Sequence, residues 1–229
     1  NPFIKSMSET GAKVSQRCSD AARLSHVLLL DAVVERDARL GAEDDQQDDQ
    51  RRKQAQQLLP RASHREQLLI QAKLQEKGMW PNVGPAERKK KAQASLDELL
   101  TLYDDDEEGW FARAQIAEGS FAAAPIYKAL LRVNPLHPGA NHELVHYFEN
   151  IRRPALGWPY AEGYMKSSPT IPHAFHMQAH LAMRIGKWKH TSDWSSQAIE
   201  MQKAYHQLLN VKPSEDHQFS HHLETLTRS

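Results

Sequence analysis

The chain has 229 residues, with 29 Lys and Arg against 29 Asp and Glu, for a formal net charge of zero. That balance argues against a polyanion-binding role, whether toward nucleic acid or an anionic membrane surface, because such binding normally draws on a basic excess, and no stretch approaches the ~18 apolar residues of a membrane-spanning helix. The single cysteine, Cys18, excludes an internal disulfide and a thiolate zinc knuckle, while 10 glycines are too few for the turns of a many-stranded sandwich or barrel.

Residues 19–40 place Leu24, Val27, Leu28, Ala32, Val34 and Ala38 at three- and four-residue steps, the pattern of an amphipathic helix. Residues 43–53 (EDDQQDDQRRK) hold no apolar side chain and read as a polar linker. Residues 1–59 are therefore expected to be an N-terminal helical segment, and residues 60–229 a set of helical repeats. Ser63 with Glu66 three residues on, ahead of Leu68, Leu69 and Leu74, forms a capping box that opens a helix, and Gly78 stops it. After a turn at Pro81, Gly84 and Pro85, residues 86–103 form a helix with Ala92, Leu96, Leu99 and Leu100 on its apolar face. Asp104 to Asp106 end that helix and cap the next.

From there the chain repeats. First helices are expected to begin near Glu107, Gly139 and Ile171, each 32 residues apart, and second helices near Phe121, Pro154 and Trp188, 33 and then 34 apart. Two helices per unit at this period point to an all-α, tetratricopeptide-like (TPR-like) right-handed α-solenoid, in which stacked pairs share a core that no pair can bury alone. The wording agrees. Residues 127–135 (YKALLRVNP) resemble the second-helix ending of a tetratricopeptide repeat, and Gly186-Lys187-Trp188 followed by Ala198-Ile199 resembles its glycine-aromatic turn and small-residue packing site. Two departures stand out: the unit beginning at Trp110 has a short first helix, and Arg152-Arg153-Pro154 occupies the place of a turn glycine. The chain opens on Asn1 rather than Met, and is expected to be a piece of a longer polypeptide.

Eleven of the thirteen histidines lie between His137 and His222. Residues 142–146 read H-E-x-x-H, the two-imidazole helix signature of zinc hydrolases. Four residues turn a helix by about 400°, so His142 and His146 project within about 40° of each other, close enough to share an ion at ~2.0–2.1 Å. Glu149 follows on the same face, whereas Glu143 points about 100° away. A second stripe, His173, His176 and His180, spans an arc of about 60° on the next first helix. First helices of consecutive repeats lie side by side on the concave surface, so the two stripes are expected to converge. The best ligand set is His142, His146, His176 and His180, with Glu149 and His173 as substitutes or as outer partners that orient a ring. Zinc suits these ligands first, with iron, nickel or copper also open.

The run from His137 to His180, including HPGANHELVH and PHAFHMQAH, is similar to a group of bacterial tetratricopeptide-repeat proteins carrying HPGA-x-H-x-x-x-H and PHA-x-H-M-x-x-H motifs. The resemblance implies a repeat fold and a metal site, and it assigns no reaction. In that group the residue after the first histidine is often aromatic, where this chain has Glu143.

Two functions from different classes are open. One is a metal-binding repeat protein, with metal-assisted hydrolysis as its natural chemistry if it is an enzyme; Glu143 or Glu149 would be the general base, and Arg152 or Arg153 would offset negative charge. The other is a metal-free scaffold that holds a partner peptide in the groove. The terminal His217, His221 and His222 are expected to be exposed, and the tryptophans to pack between helices.

Overall fold

The computed structural model describes residue 50 and residues 53–229. The helix expected over residues 19–40, Cys18 and most of the polar stretch at 43–53 lie outside the described residues. The described residues divide into two compact units, one ending at Ile116 and the other spanning Ala117–Ser229.

In the first unit, residues 53–58 are helical, a short 3-10 turn covers Leu59–Arg61, and three helices follow: α1 (His64–Glu76), α2 (Arg88–Leu102) and α3 (Glu107–Gln115). The Ser63 capping box is present, with Glu66 reaching back to the Ser63 N–H at 2.8 Å. Gly78, at φ 76°, carries the chain out of α1 in a left-handed conformation that glycine adopts without strain. One face of α1 buries Leu68, Leu69 and Ala72 against Ala92, Leu96 and Leu99 of α2, while Ile70 and Leu74 pack with Ala55 and Ala62. Asp106 ends the link from α2, caps α3 by accepting from Gly109 N at 2.5 Å, and pairs with Arg65 of α1.

The second unit holds α4 (Ser120–Val133), α5 (Pro138–Asn150), α6 (Pro154–Ser167), α7 (Pro172–Arg184), α8 (Trp188–Leu209) and α9 (His217–Thr227). Helices α4, α6 and α8 begin 34 residues apart, and α3, α5 and α7 begin at Glu107, Pro138 and Pro172, each within one residue of the expected start. Proline sits in the first turn of α5, α6 and α7, where its missing N–H has no intrahelical partner to lose. Helix α5 packs on α6 and α7 on α8, with α5 also against α7. Val145 of α5, Ala161 of α6, and Met177 and Leu181 of α7 share one apolar cluster. Phe175 and Ala174 of α7 meet Ala198 of α8 in the next. The described residues are all-α without strands, arranged in TPR-like helix pairs. As expected, α3 is short at nine residues, against 13 in both α5 and α7.

The three turns that follow these first helices each need a left-handed residue. Gly119 and Gly186 supply it at φ 83° and 76°, and Arg152 adopts φ 57° in the middle turn. A side chain there clashes with its own carbonyl, at a cost of roughly 1–2 kcal/mol. Helix α6 also comes close to α5 at Gly163, where a Cβ would lie 2.6 Å from Asn141 Oδ1. Asn141 in turn donates to the carbonyls of Pro135 and His137, tying down the entry to α5.

The end of the chain corrects one expectation. His222 is fully buried rather than exposed, because α9 folds back onto α8 and α7. Asp216 makes that turn possible. It caps α9 by accepting from Gln218 N at 2.9 Å, and its other oxygen binds His206 Nε2 at 2.6 Å and accepts from Gln202 Nε2 at 2.5 Å, both on α8. Among the tryptophans, Trp158 and Trp194 pack with ring centroids 5.7 Å apart, whereas Trp188 is exposed.

Two stability measurements test this reading. Arg152→Gly is expected to raise unfolding free energy by about 0.5–1 kcal/mol in urea denaturation, since it removes a strained residue and loses only glycine's backbone entropy. Asp216→Ala is expected to lower it by about 1–2 kcal/mol through loss of the cap, with faster amide exchange along α9.

Candidate metal centre

Helical spacing brings His142 and His146 one turn apart on α5, and the packing of α5 beside α7 adds His173. Their Nε2 atoms converge: His142 Nε2 lies 3.1 Å from His146 Nε2 and 3.0 Å from His173 Nε2. Tyr164 of α6 stands over this group, its ring centroid 5.3 Å from that of His142. An imidazole nitrogen carries either one proton or one lone pair, so His142 Nε2 cannot make two good hydrogen bonds to two other ring nitrogens. Nitrogens that share an ion at ~2.0–2.1 Å, by contrast, stand about 2.9–3.4 Å from one another. The observed spacing falls in that range. Glu143 Oε1 lies 3.8 Å from His142 Nδ1, on the far side of the ring from the convergence.

His176 and His180 belong to a different group, whose third member is His221 of α9. The ring centroid of His176 is 4.4 Å from those of both His180 and His221, and 4.6 Å from that of His222. The expected set of His142, His146, His176 and His180 is thus divided between two neighbouring trios, His142-His146-His173 and His176-His180-His221. Within each, one ligand atom per residue lies within 4.8 Å of the others.

Glu149 joins neither trio as a ligand. Its Oε1 accepts from His180 Nδ1 at 3.3 Å and from Arg184 Nε at 3.0 Å. A carboxylate can only accept, so His180 places its proton on Nδ1 and leaves the Nε2 lone pair facing the trio. Burial works to raise the pKa of Glu149, but the bonds from His180 and Arg184 outweigh it and hold the carboxyl down at about 2. Burial, reinforced by the neighbouring imidazoles, pushes His176 well below the ordinary histidine range and His222 down to about 4, and it lowers His221 too. These rings are therefore neutral at pH 7, which is the form that binds metal.

The second group is also poorly satisfied by the protein. His176 and His222 are completely buried, and no protein group bonds either ring nitrogen of either residue, nor Nε2 of His180. Each such atom costs about 1–3 kcal/mol. The spacing of His221 and His222 near the chain end is that of an exposed helix, so local pattern alone does not single them out. Arg152 and Arg153 are exposed in the α5–α6 turn.

No protein family model matches the sequence, and neither does any curated protein. Among solved structures the chain is similar to MamA 41-end from Desulfovibrio magneticus RS-1, at 16% identity and TM-score 0.47 over 69% of this chain and 93% of that one. It is similar to the MamA RS-1 ArsTM double mutant at 16% identity and TM-score 0.48, covering 69% and 92%. Among the described residues no helix is long and apolar enough to cross a membrane.

The Glu149 pair gives a pH test. Its folded pKa is depressed from the ordinary 4.5 to about 2, so the stability it contributes is present above pH 4.5 and is lost as pH falls toward 2. In metal-free protein, Glu149→Gln is expected to flatten the loss of stability over that window in urea titrations. Equal slopes for wild type and variant would contradict the pairing.

Proposed function

We propose that this chain is a TPR-like repeat protein that binds a divalent transition metal ion through His142, His146 and His173, with zinc the foremost candidate. The reading rests on one observation: His142 Nε2 stands 3.0–3.1 Å from two other ring nitrogens, and hydrogen bonding can account for only one of those contacts. Three imidazoles on neighbouring helices suit zinc, and also iron, nickel or copper. Glu143, beside Nδ1 of His142, suits a role in orienting that ring.

Three imidazole ligands leave a coordination position for water, and a zinc ion held this way lowers the pKa of bound water to about 7. Hydrolysis is therefore the reaction class proposed if the protein turns over a substrate. Glu143, the base expected from the H-E-x-x-H spacing, lies across the His142 ring from the convergence and is placed to orient that ring rather than to take a proton from bound water. Glu149 is a poor base because the bonds from His180 and Arg184 hold its pKa down at about 2, far below the working pH.

Metal uptake tests the reading. After dialysis against Zn2+ and removal of excess, wild-type protein is expected to retain zinc by elemental analysis, and His142→Ala and His173→Ala to retain one ion fewer per chain. If both variants retain as much as wild type, the first trio is not a metal site. A wild type that also takes up no iron, nickel or copper would leave a helical array whose groove serves partner peptides.

A further inference from the structure

We infer a second, separate transition-metal site formed by His176, His180 and His221, with Glu149 and Arg184 as its outer support. It shares no residue with the first trio and goes beyond the single-ion reading. Four observations carry it.

First, His176 is completely buried, and neither of its ring nitrogens meets a protein donor or acceptor. A histidine kept solely for packing would be replaced at no loss by an apolar residue, whereas a ligand must keep a bare lone pair. Second, three ligand atoms from three turns of chain gather within 4.8 Å. An ion at ~2.0–2.1 Å draws such atoms to about 2.9–3.4 Å from one another. Small ring rotations supply the difference at His221, whose side chain is 37% exposed and whose Nδ1 lies 3.7 Å from Glu224 Oε2 on the same helix. Third, His180 shows the second-layer arrangement of a ligating imidazole, with Nδ1–H donated to Glu149 and Nε2 turned inward without a protein partner. Fourth, the ligands come from α7 and α9, and Asp216 fixes the turn that presents His221. An ion here would pin α9 to α7. The ligand chemistry again selects zinc, cobalt, nickel or copper over calcium or magnesium, since no carboxylate enters the trio.

Equilibrium dialysis of the full chain against Zn2+, with Co2+ as an optical probe, tests the inference. Wild type is expected to bind two ions, and His221→Ala one. His142→Ala is expected to bind one as well, and the double variant none. Glu149→Gln is expected to keep two ions but to weaken one by about 10–100-fold. His221 is half-exposed, so its removal should leave the helical circular dichroism of the metal-free protein unchanged, and that measurement accompanies each variant. Zinc is also expected to slow amide exchange in α9 of wild type and not of His221→Ala. Equal zinc binding by wild type and His221→Ala, with no change in α9 exchange, overturns this second site and leaves the first standing. If instead His142→Ala loses nothing and His221→Ala loses one ion, the first trio falls and the second stands.

Discussion

Everything at the histidine-rich centre depends on α5 lying beside α7. Neither helix can bury its apolar stripe alone, so Val145 of α5 and Met177 and Leu181 of α7 close around Ala161 of α6, and this fixes how the two first helices face each other. Their polar stripes are then forced together as well. His142 and His146 on one helix meet His173 on the other, and His180 on α7 reaches Glu149 on α5. The apolar packing sets the separation, and the imidazoles inherit it.

That arrangement is unfavourable for protonated rings and favourable for neutral ones. Burial and the mutual repulsion of neighbouring imidazoles both oppose charge at His176, His221 and His222, so these rings present lone pairs at neutral pH. The carboxylates in reach lie outside the convergence points. Glu143 sits by the outer nitrogen of His142, and Glu149 is engaged by His180 and Arg184. Such a layout suits carboxylates that orient rings. It separates a first layer of nitrogen from an outer layer of oxygen, as metal centres built on histidine commonly do.

The turns show how the same architecture tolerates variation. Gly119 and Gly186 take the left-handed conformation freely, and Arg152 is held in it by the helices on either side. The helix register survives the strain because Pro154 still starts α6 in the expected place. A locally poor residue is thus overruled by packing. The same holds for α9, where a short terminal helix with little apolar surface is held down by one carboxylate, Asp216, bonding in two directions.

Much of the fold was legible in the sequence because helix starts and stops are local chemistry. The Ser63–Glu66 box, the aspartates before Glu107 and Pro154 act within a few residues of themselves, and each marks the boundary seen in the structure. Helical periodicity likewise placed His142 with His146 and His176 with His180, since both members of each pair share a helix. Tertiary structure alone decided which rings share a point. His173 turns to the first pair, and His221 arrives from 41 residues beyond His180. Glu149 goes to His180. None of this is encoded by spacing, because the angle at which α7 meets α5 and the return of α9 depend on side chains far apart in the chain. A residue's face on its own helix is a local property, and what that face meets is not.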